Sequence, residues 1–291
     1  MNRFDLPVEH MEKIVPHARL EWDTGRVSVE MGEDREEAIT AEKERPCDKQ
    51  DLFTDGSLTE EGVGGAAVWM RWGREKDRRT RRIGEPDENT VYEAELMGLT
   101  LGMDIALTNG FRGTIHIGMD NQAILTTIRT RRAKFAQFLW RGFERSVKEY
   151  LKRHRSNNIK LRWVPGHEGV EGNERADEAA KEAARTEREG DGEGGREGEL
   201  DWIEEEVIPM SRAATRQRLM EQIKEKRKAE WKASTRFERI NRYDPTLPSK
   251  TFSKLTAKMR RKQASIIFQM RTGHIQLQKH MSRIGKAESP L

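Results

Sequence analysis

Residues 51–57 read Asp-Leu-Phe-Thr-Asp-Gly-Ser, and after a short turn residues 63–70 read Val-Gly-Gly-Ala-Ala-Val-Trp-Met. The first run has the length and apolar content of a buried strand, with Asp55 near its exit. The second is apolar and small enough to pair tightly as an antiparallel neighbour. A carboxylate in a buried strand costs on the order of several kcal/mol unless its charge is compensated, and a divalent cation is the usual compensator. A lone strand aspartate decides little; the acids that follow it, Glu95, Asp120 and Asp177, give it meaning.

Three strands are expected over 51–56, 64–72 and about 78–84, the last too basic (Arg78-Arg79-Thr80-Arg81-Arg82) to be anything but an edge. Thr90 and Glu93 have capping-box spacing at the start of a helix that Asn109-Gly110 ends. On that helix Glu95 shares a face with Val91, Gly98, Leu99 and Gly102, the packed side, whereas Glu93 points about 200° away to the wetter face. Residues 114–119 alternate as a strand that Asp120 closes, Asn121 begins a helix, and a basic stretch leads into an amphipathic helix from Phe135 to Leu151. Residues 159–164 form a further strand, and Asn173 opens an Ala-rich helix bearing Asp177. Trp69, Trp72, Trp140 and Trp163 are read as core.

On either side of this block the pattern weakens. Residues 1–50 form a partly ordered lead-in in which only Val27 to Met31 alternates and 33–44 suits a charged helix. The catalytic unit is expected to span 51–186, an acidic Gly/Glu-rich linker 187–210, and a basic helical extension 211–291, with long helices over 212–242 and 253–270. The net charge of +4 hides an asymmetry: residues 1–210 carry 33 basic against 44 acidic side chains, a balance of −11, and 211–291 carry 21 against 6, a balance of +15. Such an extension suits a polyanion, most simply nucleic acid, or is a solvated helical surface. The single Cys47 excludes a disulfide framework and a Cys-rich zinc site, which points to an intracellular location. No apolar run approaches the ~20 residues of a bilayer span, so no membrane is expected as a partner.

The order of elements is that of an α/β mixed sheet with packed helices. Asp55, Glu95, Asp120 and Asp177 sit where elements meet, and only tertiary folding can gather them. Clustered carboxylates repel unless cations hold them, and an all-oxygen donor set selects Mg2+, with Mn2+ as substitute, over zinc. Two such ions are the usual apparatus of phosphodiester hydrolysis, with Asp55 the bridging ligand. His167, in a Gly-flanked loop, suits a proton shuttle or an aid to product release.

Thr54-Asp55-Gly56-Ser57, Ala94-Glu95-Leu96, Asp120-Asn121-Gln122-Ala123 and the run Trp163-Val164-Pro165-Gly166-His167-Glu168-Gly169 through Asp177 resemble the motif set of type 1 ribonuclease H, in particular the domain carried by fungal non-LTR retrotransposon polyproteins. The similarity is firm over 51–186. It continues weakly around Thr272-Gly273-His274 and Ser289-Pro290-Leu291, so a fragment of such an element, or a host gene derived from one, is expected.

The resemblance implies a ribonuclease H-like fold: a five-stranded mixed sheet with helices on both faces, here with the basic helical extension. It implies an endonuclease that cuts the RNA strand of an RNA–DNA hybrid, leaving 5′-phosphate and 3′-hydroxyl ends. It further implies a catalytic set of Asp55, Glu95, Asp120, Asp177 and His167, the four acids holding two Mg2+ ions, and a reverse transcriptase encoded elsewhere as a partner. A hybrid is read through shape and 2′-hydroxyls. Gly56 and Ser57 suit close backbone approach to a ribose, Asn121 and Gln122 suit base-edge or 2′-hydroxyl contacts, and Arg129, Arg131, Arg132 and Lys134 suit phosphates. The competing readings are solvated surface for the four basic residues and a helix-start role for Asn121. For the whole chain the alternative is a catalytically silent nucleic-acid-binding remnant. A DNA-cutting transposase of similar fold is disfavoured by the Trp163–His167 loop.

Overall fold

The structure, a computed structural model, describes residues 8–32, 34–45, 50–166, 168–186, 208–242, 244–272 and 277–288. The chain divides into two compact units, Met1–Gln217 and Arg218–Leu291.

In the first unit, strands β2 (Asp51–Leu58), β3 (Val63–Arg71) and β4 (Arg74–Gly84) form an antiparallel meander. Trp72 and Gly73 turn β3 into β4 with positive φ at both positions, the pairing that a tight two-residue hairpin needs. That turn puts Trp72 out in solvent under the Arg71 guanidinium, so Trp72 is not core. Trp140 is fully buried, and Trp69 and Trp163 are half-buried. Strands β5 (Thr114–Met119) and β6 (Asn158–Trp163) lie parallel to β2.

The five expected strands are joined by a sixth. β1 (Val27–Glu30), from the lead-in, pairs in parallel with β6 and gives the order β1-β6-β5-β2-β3-β4. The lead-in is thus more closely packed than its weak periodicity predicts. Leu20 is buried, its N–H donates to the Arg131 carbonyl (3.0 Å), and Arg26 donates to the carbonyls of Leu151, His154 and Asn157. Leu20 thereby satisfies the carbonyl of the residue that caps the helix Gln122–Thr130, and Arg26 the carbonyls of Leu151 and His154 at the C-terminal end of the helix Gln137–Arg153 and of Asn157 in the turn beyond it.

Helices cover both faces. α2 (Val91–Thr108), α3 (Gln122–Thr130) and α4 (Gln137–Arg153) enclose the main core, in which Leu52, Leu96, Ile117, Trp140 and Phe143 are fully buried. α5 (Glu171–Arg185) lays Ala176, Ala179 and Ala180 on the other face against Phe53, Ala66, Val68 and Met70. α1 (Arg35–Lys43) is tied to that second face by a buried ion-pair group in which Glu42 takes both nitrogens of the Arg162 fork (2.7 and 2.9 Å) and Arg45 and Arg162 approach Asp51 (3.3 and 3.4 Å).

The expected linker lies mostly outside the described residues, as do Cys47, His167, Gly273-His274 and Ser289 to Leu291. Where the chain is described again, at Ile208, it belongs to the first unit. Met210 bridges to Met11, the Ser211 N–H donates to the Glu88 carbonyl (2.7 Å), and the Ser211 hydroxyl donates to Glu93 (2.7 Å). Glu93, expected on a wetter face, is therefore buried. Its carboxylate also accepts from the Thr90 N–H in the expected capping box (2.9 Å).

The basic extension is helical in shorter pieces than its pattern suggests: α6 (Arg212–Lys232), α7 (Phe237–Asn241), α8 (Thr251–Thr256), α9 (Arg261–Thr272) and α10 (Gln278–Arg283). After α6 the Ser234 hydroxyl accepts from the Arg236 N–H, offering the backbone a turn in place of helix. Within the second unit Arg271 pairs with buried Asp244 and stacks over Phe252. Among the described residues, no helix is long and apolar enough to cross a membrane.

Candidate active site

Asp55 sits near the end of β2, where its Oδ1 accepts the Gly56 N–H (2.8 Å). Glu95 stands in the second turn of α2, which lies very close to β2 and β3 because three glycines permit it. A Cβ on Gly56 would fall 2.2 Å from the Glu95 nitrogen, one on Gly65 2.4 Å from the Ala94 carbonyl oxygen, and one on Gly98 2.5 Å from the Asp55 carbonyl oxygen. The small residues that looked like a packed helix face are thus what brings the Glu95 carboxylate to the strand end. Asp120 follows β5 directly, with its carbonyl held by the Trp163 indole N–H (3.1 Å).

One carboxylate oxygen from each of Asp55, Glu95 and Asp120 lies within 4.8 Å of the others. Asp55 and Glu95 are buried, Asp120 half-buried. Among the described residues, neither Asp55 nor Glu95 has a Lys or Arg within ion-pair distance, and Glu95 Oε2 is buried with no protein donor. Burial, and then the Asp120 charge, push the Asp55 carboxyl up to about 7 against the pull of the Gly56 N–H. Burial and the Asp55 and Asp120 charges hold Glu95 well above the usual carboxylate range. A buried three-acid group with an oxygen lacking a donor is a poor resting state for a protein alone and a good one for a hard cation. The donor set fits Mg2+ or Mn2+.

Asp177 is placed differently. It projects half-buried from α5, close enough to raise Asp55 electrostatically, but its carboxylate is bound to Lys181 one turn along (2.6 Å) and is not within the 4.8 Å group. His167 lies outside the described residues; its neighbour Gly166 packs so close to Asp120 that a Cβ there would meet Oδ2 at 2.8 Å.

Of the expected substrate contacts, Gly56 faces α2, and its missing Cβ has a packing reason. Ser57 is buried in β2, and the Asn121 side-chain oxygen caps α3 by accepting from the N–H groups of Ala123 and Ile124, the helix-start role. Gln122, Arg129, Arg132 and Lys134 are exposed, and Arg131 ends α3 in the left-handed conformation. Sequence reasoning missed Arg35 of α1, which grips the Gly166–Glu168 segment; a single Arg in a charged helix carries no signal of a partner 131 residues away.

A meander flanked by parallel strands, with carboxylates from two strand ends and one helix gathered at a point, defines a carboxylate-cluster nuclease of the ribonuclease H-like fold. The family profile described as RNase H matches residues 48–185. Ribonuclease H of Bordetella pertussis is 32% identical over 138 residues, covering 44% of this chain and 83% of that protein. Ribonuclease H of Ruthia magnifica is 24% identical over 137 residues, covering 43% and 88%. Among solved structures, RNase H1 from Halobacterium salinarum matches with 21% identity and a TM-score of 0.37 over 46% of this chain and 96% of that one. LC11-RNase H1, solved in complex with an RNA/DNA hybrid, matches with 18% identity and a TM-score of 0.38 over 46% and 99%. The chain belongs to the ribonuclease H family, and its enzyme class is ribonuclease H.

Proposed function

We propose that the chain hydrolyses the RNA strand of RNA–DNA hybrids by a two-metal mechanism, with Asp55, Glu95 and Asp120 as the ligands that gather the cations and Asp177 as a fourth, more exposed ligand. The single observation that carries the reading is the gathering of three carboxylates from β2, α2 and the end of β5 with, among the described residues, no Lys or Arg paired to the two buried ones. When bound, the cations supply an activated water and stabilise the leaving 3′-oxygen.

The protein's own part is to hold three oxygens on rigid elements. α2 cannot drift from β2 because its glycine contacts leave no slack, and the Asp120 backbone is fixed by Trp163. Lys181 holds the Asp177 carboxylate in place on α5 (2.6 Å) until a cation competes for it. His167 shuttles the proton or assists product departure. Arg129, Arg131, Arg132 and Lys134 meet the phosphates of the hybrid, and exposed Gln122 lines its approach. The extension from 211 adds basic attraction.

The origin proposed is a non-LTR retrotransposon, supported by the wording of the Trp163–Asp177 motif and by the basic continuation, with a separately encoded reverse transcriptase as functional partner. The catalytic reading is tested by incubating purified protein with a labelled hybrid in Mg2+. Cleavage confined to the RNA strand, abolished by chelator and by Asp55→Asn, is expected. Equal cutting by Asp55→Asn would remove the metal-ligand assignment, and binding without cutting would establish the silent-remnant reading. An open reading frame for a Tyr-x-Asp-Asp polymerase beside related genomic copies is expected; its consistent absence would remove the proposed origin.

A further inference from the structure

The loop after β6 has a neighbour beside the acidic group that lies outside the residues the family profile matches. Arg35, the first residue of α1, donates from Nε and Nη2 to Glu168 Oε1 (2.8 and 2.5 Å) and from Nη2 to the Gly166 carbonyl (3.1 Å). These contacts bracket position 167 on both sides. Gly166 in turn abuts Asp120 Oδ2, and Gly169 has positive φ, a conformation glycine adopts without strain.

Arg35 is not held by the loop alone. Its helix is capped by Asp34, whose side chain accepts the Glu37 N–H (2.9 Å). Its far end is pinned by the Glu42–Arg162 fork, with Arg45 joining through Asp51. Those pinning charges are nearly enclosed, with side-chain exposures of 7% for Arg162 and 10% for Glu42, whereas Arg35 is 57% exposed. Exposed ion pairs add little net stability, so three hydrogen bonds here cannot be explained as a prop for the fold. What a fork on a fixed helix supplies is geometry.

We propose that Arg35 is a positioning residue for the nuclease reaction: reaching from α1, it holds Gly166 and Glu168 in place, and with them the packing of Gly166 on Asp120. Its kinetic consequence rests on the ribonuclease reading above. The lead-in is then a working part of the enzyme, a buried anchor at one end of α1 and a clamp at the other.

The test compares the full chain with Arg35→Ala, Arg35→Lys, Glu168→Ala and the double variant Arg35→Ala/Glu168→Ala on a labelled hybrid. Arg35→Ala is expected to lower kcat about five- to tenfold with KM changed by less than about twofold. Arg35→Lys recovers part of the loss through its single charge. The double variant is no worse than the more impaired single one, because both remove the same contact. Melting temperatures of the single variants stay within about 2 °C of the parent. Hydrogen exchange at the amides of 168–170 is expected to quicken in Arg35→Ala.

Unchanged kcat together with unchanged exchange overturns the proposal, as does a fall in KM-linked binding alone or a loss of activity that tracks a lowered melting temperature. A parent that cuts no hybrid would instead sink the ribonuclease reading, and the exchange comparison would still decide whether Arg35 holds the loop.

Discussion

Asp51 and Asp55 stand four residues apart on β2, and both are buried, yet their surroundings differ. Asp51 shares its space with Arg45, Arg162 and Glu42, so two acids meet two guanidinium groups. Asp55 faces two more acids and, among the described residues, no Lys or Arg within ion-pair distance. Burial pushes both carboxyls upward, but around Asp51 the two arginines pull back, whereas around Asp55 the neighbouring acid pushes further. A buried charge matched by the chain itself is a structural tie. One left unmatched has been kept against the interest of the fold, and the physical reason to keep it is a cation that arrives from outside.

The largest expected effect separates the two aspartates by activity. Asp55→Asn should lower hybrid cleavage by about 10³-fold or more, since it removes a proposed ligand from the centre of the group. The same substitution should raise the stability of cation-free protein by about 1–2 kcal/mol, or about 3–6 °C in Tm, by removing a repelled charge. Asp51→Asn should do the opposite on both counts, keeping most activity and losing stability. If both variants lose activity equally without unfolding, the distinction between tie and site fails. Calorimetry beside a cleavage assay reads both.

A second effect probes the tie. Arg162→Met strands Asp51 and Glu42 without their fork and is expected to cost about 3–5 kcal/mol, measured by urea denaturation. Adding Mg2+ should not restore that loss. It should, however, stabilise the parent, through binding to the folded state alone.

Third, burial raises both Asp51 and Asp55, so it is the pH dependence of cation binding, and not the sign of the stability change, that should set the acidic group apart. In cation-free protein the raised Asp55 and Glu95 pKa values mean that the folded state binds more protons than the unfolded one. Stability therefore falls as pH rises from the ordinary Asp value of 3.8 to about 7. Cation binding must expel those protons, so apparent Mg2+ affinity should climb with pH, and the part of the climb owed to the Asp55 proton, about tenfold per unit, should end above about 7. Titration calorimetry in two buffers of different ionisation enthalpy counts the protons released, and a count of zero would contradict the raised pKa values.

Much of this was legible in the sequence, and what was not has a common cause. Asp55, Glu95 and Asp120 announce themselves because each closes or interrupts a local pattern: a strand exit, a small-residue helix face, a strand end. The strands from 51 to 84 carry their pairing in adjacent letters. The alternation of Val27 to Met31 marks β1 as a short strand, but its partner lies 132 positions later, and Glu42 finds Arg162 across 120, so nothing local marks either pairing. Glu93 looked wet because its cover, Ser211, opens the segment read as a separate basic extension, 118 residues away. Trp72 looked buried because it ends an apolar run, but the turn it makes with Gly73 decides its exposure. Local chemistry was readable, and the ion pairs and caps that close over long sequence distance were not.

The smallest expected effect concerns charges that are neither tied nor unmatched but solvated. Residues 218–291 carry 19 basic against 6 acidic side chains, and on α6 the acids form exposed i,i+3 pairs, Lys224 with Glu221 and Lys228 with Glu225. Such charges cost nothing to expose, and their attraction for a polyanion is long-ranged and easily screened. A deletion that tests them should begin at Arg218 and not at Ser211. Ser211 caps α6 by accepting from Ala213 and Ala214 and reaches Glu93, and the Arg212 N–H donates to Glu12 (3.0 Å), so a cut at 211 would also damage the first unit. Removing 218–291 is expected to raise KM for the hybrid about three- to tenfold at 50 mM salt and hardly at all at 300 mM, with kcat unchanged. A KM that rises equally at both salt concentrations would mean that the extension acts through shaped contacts, and the solvated charges would then belong with the site and not with the surface.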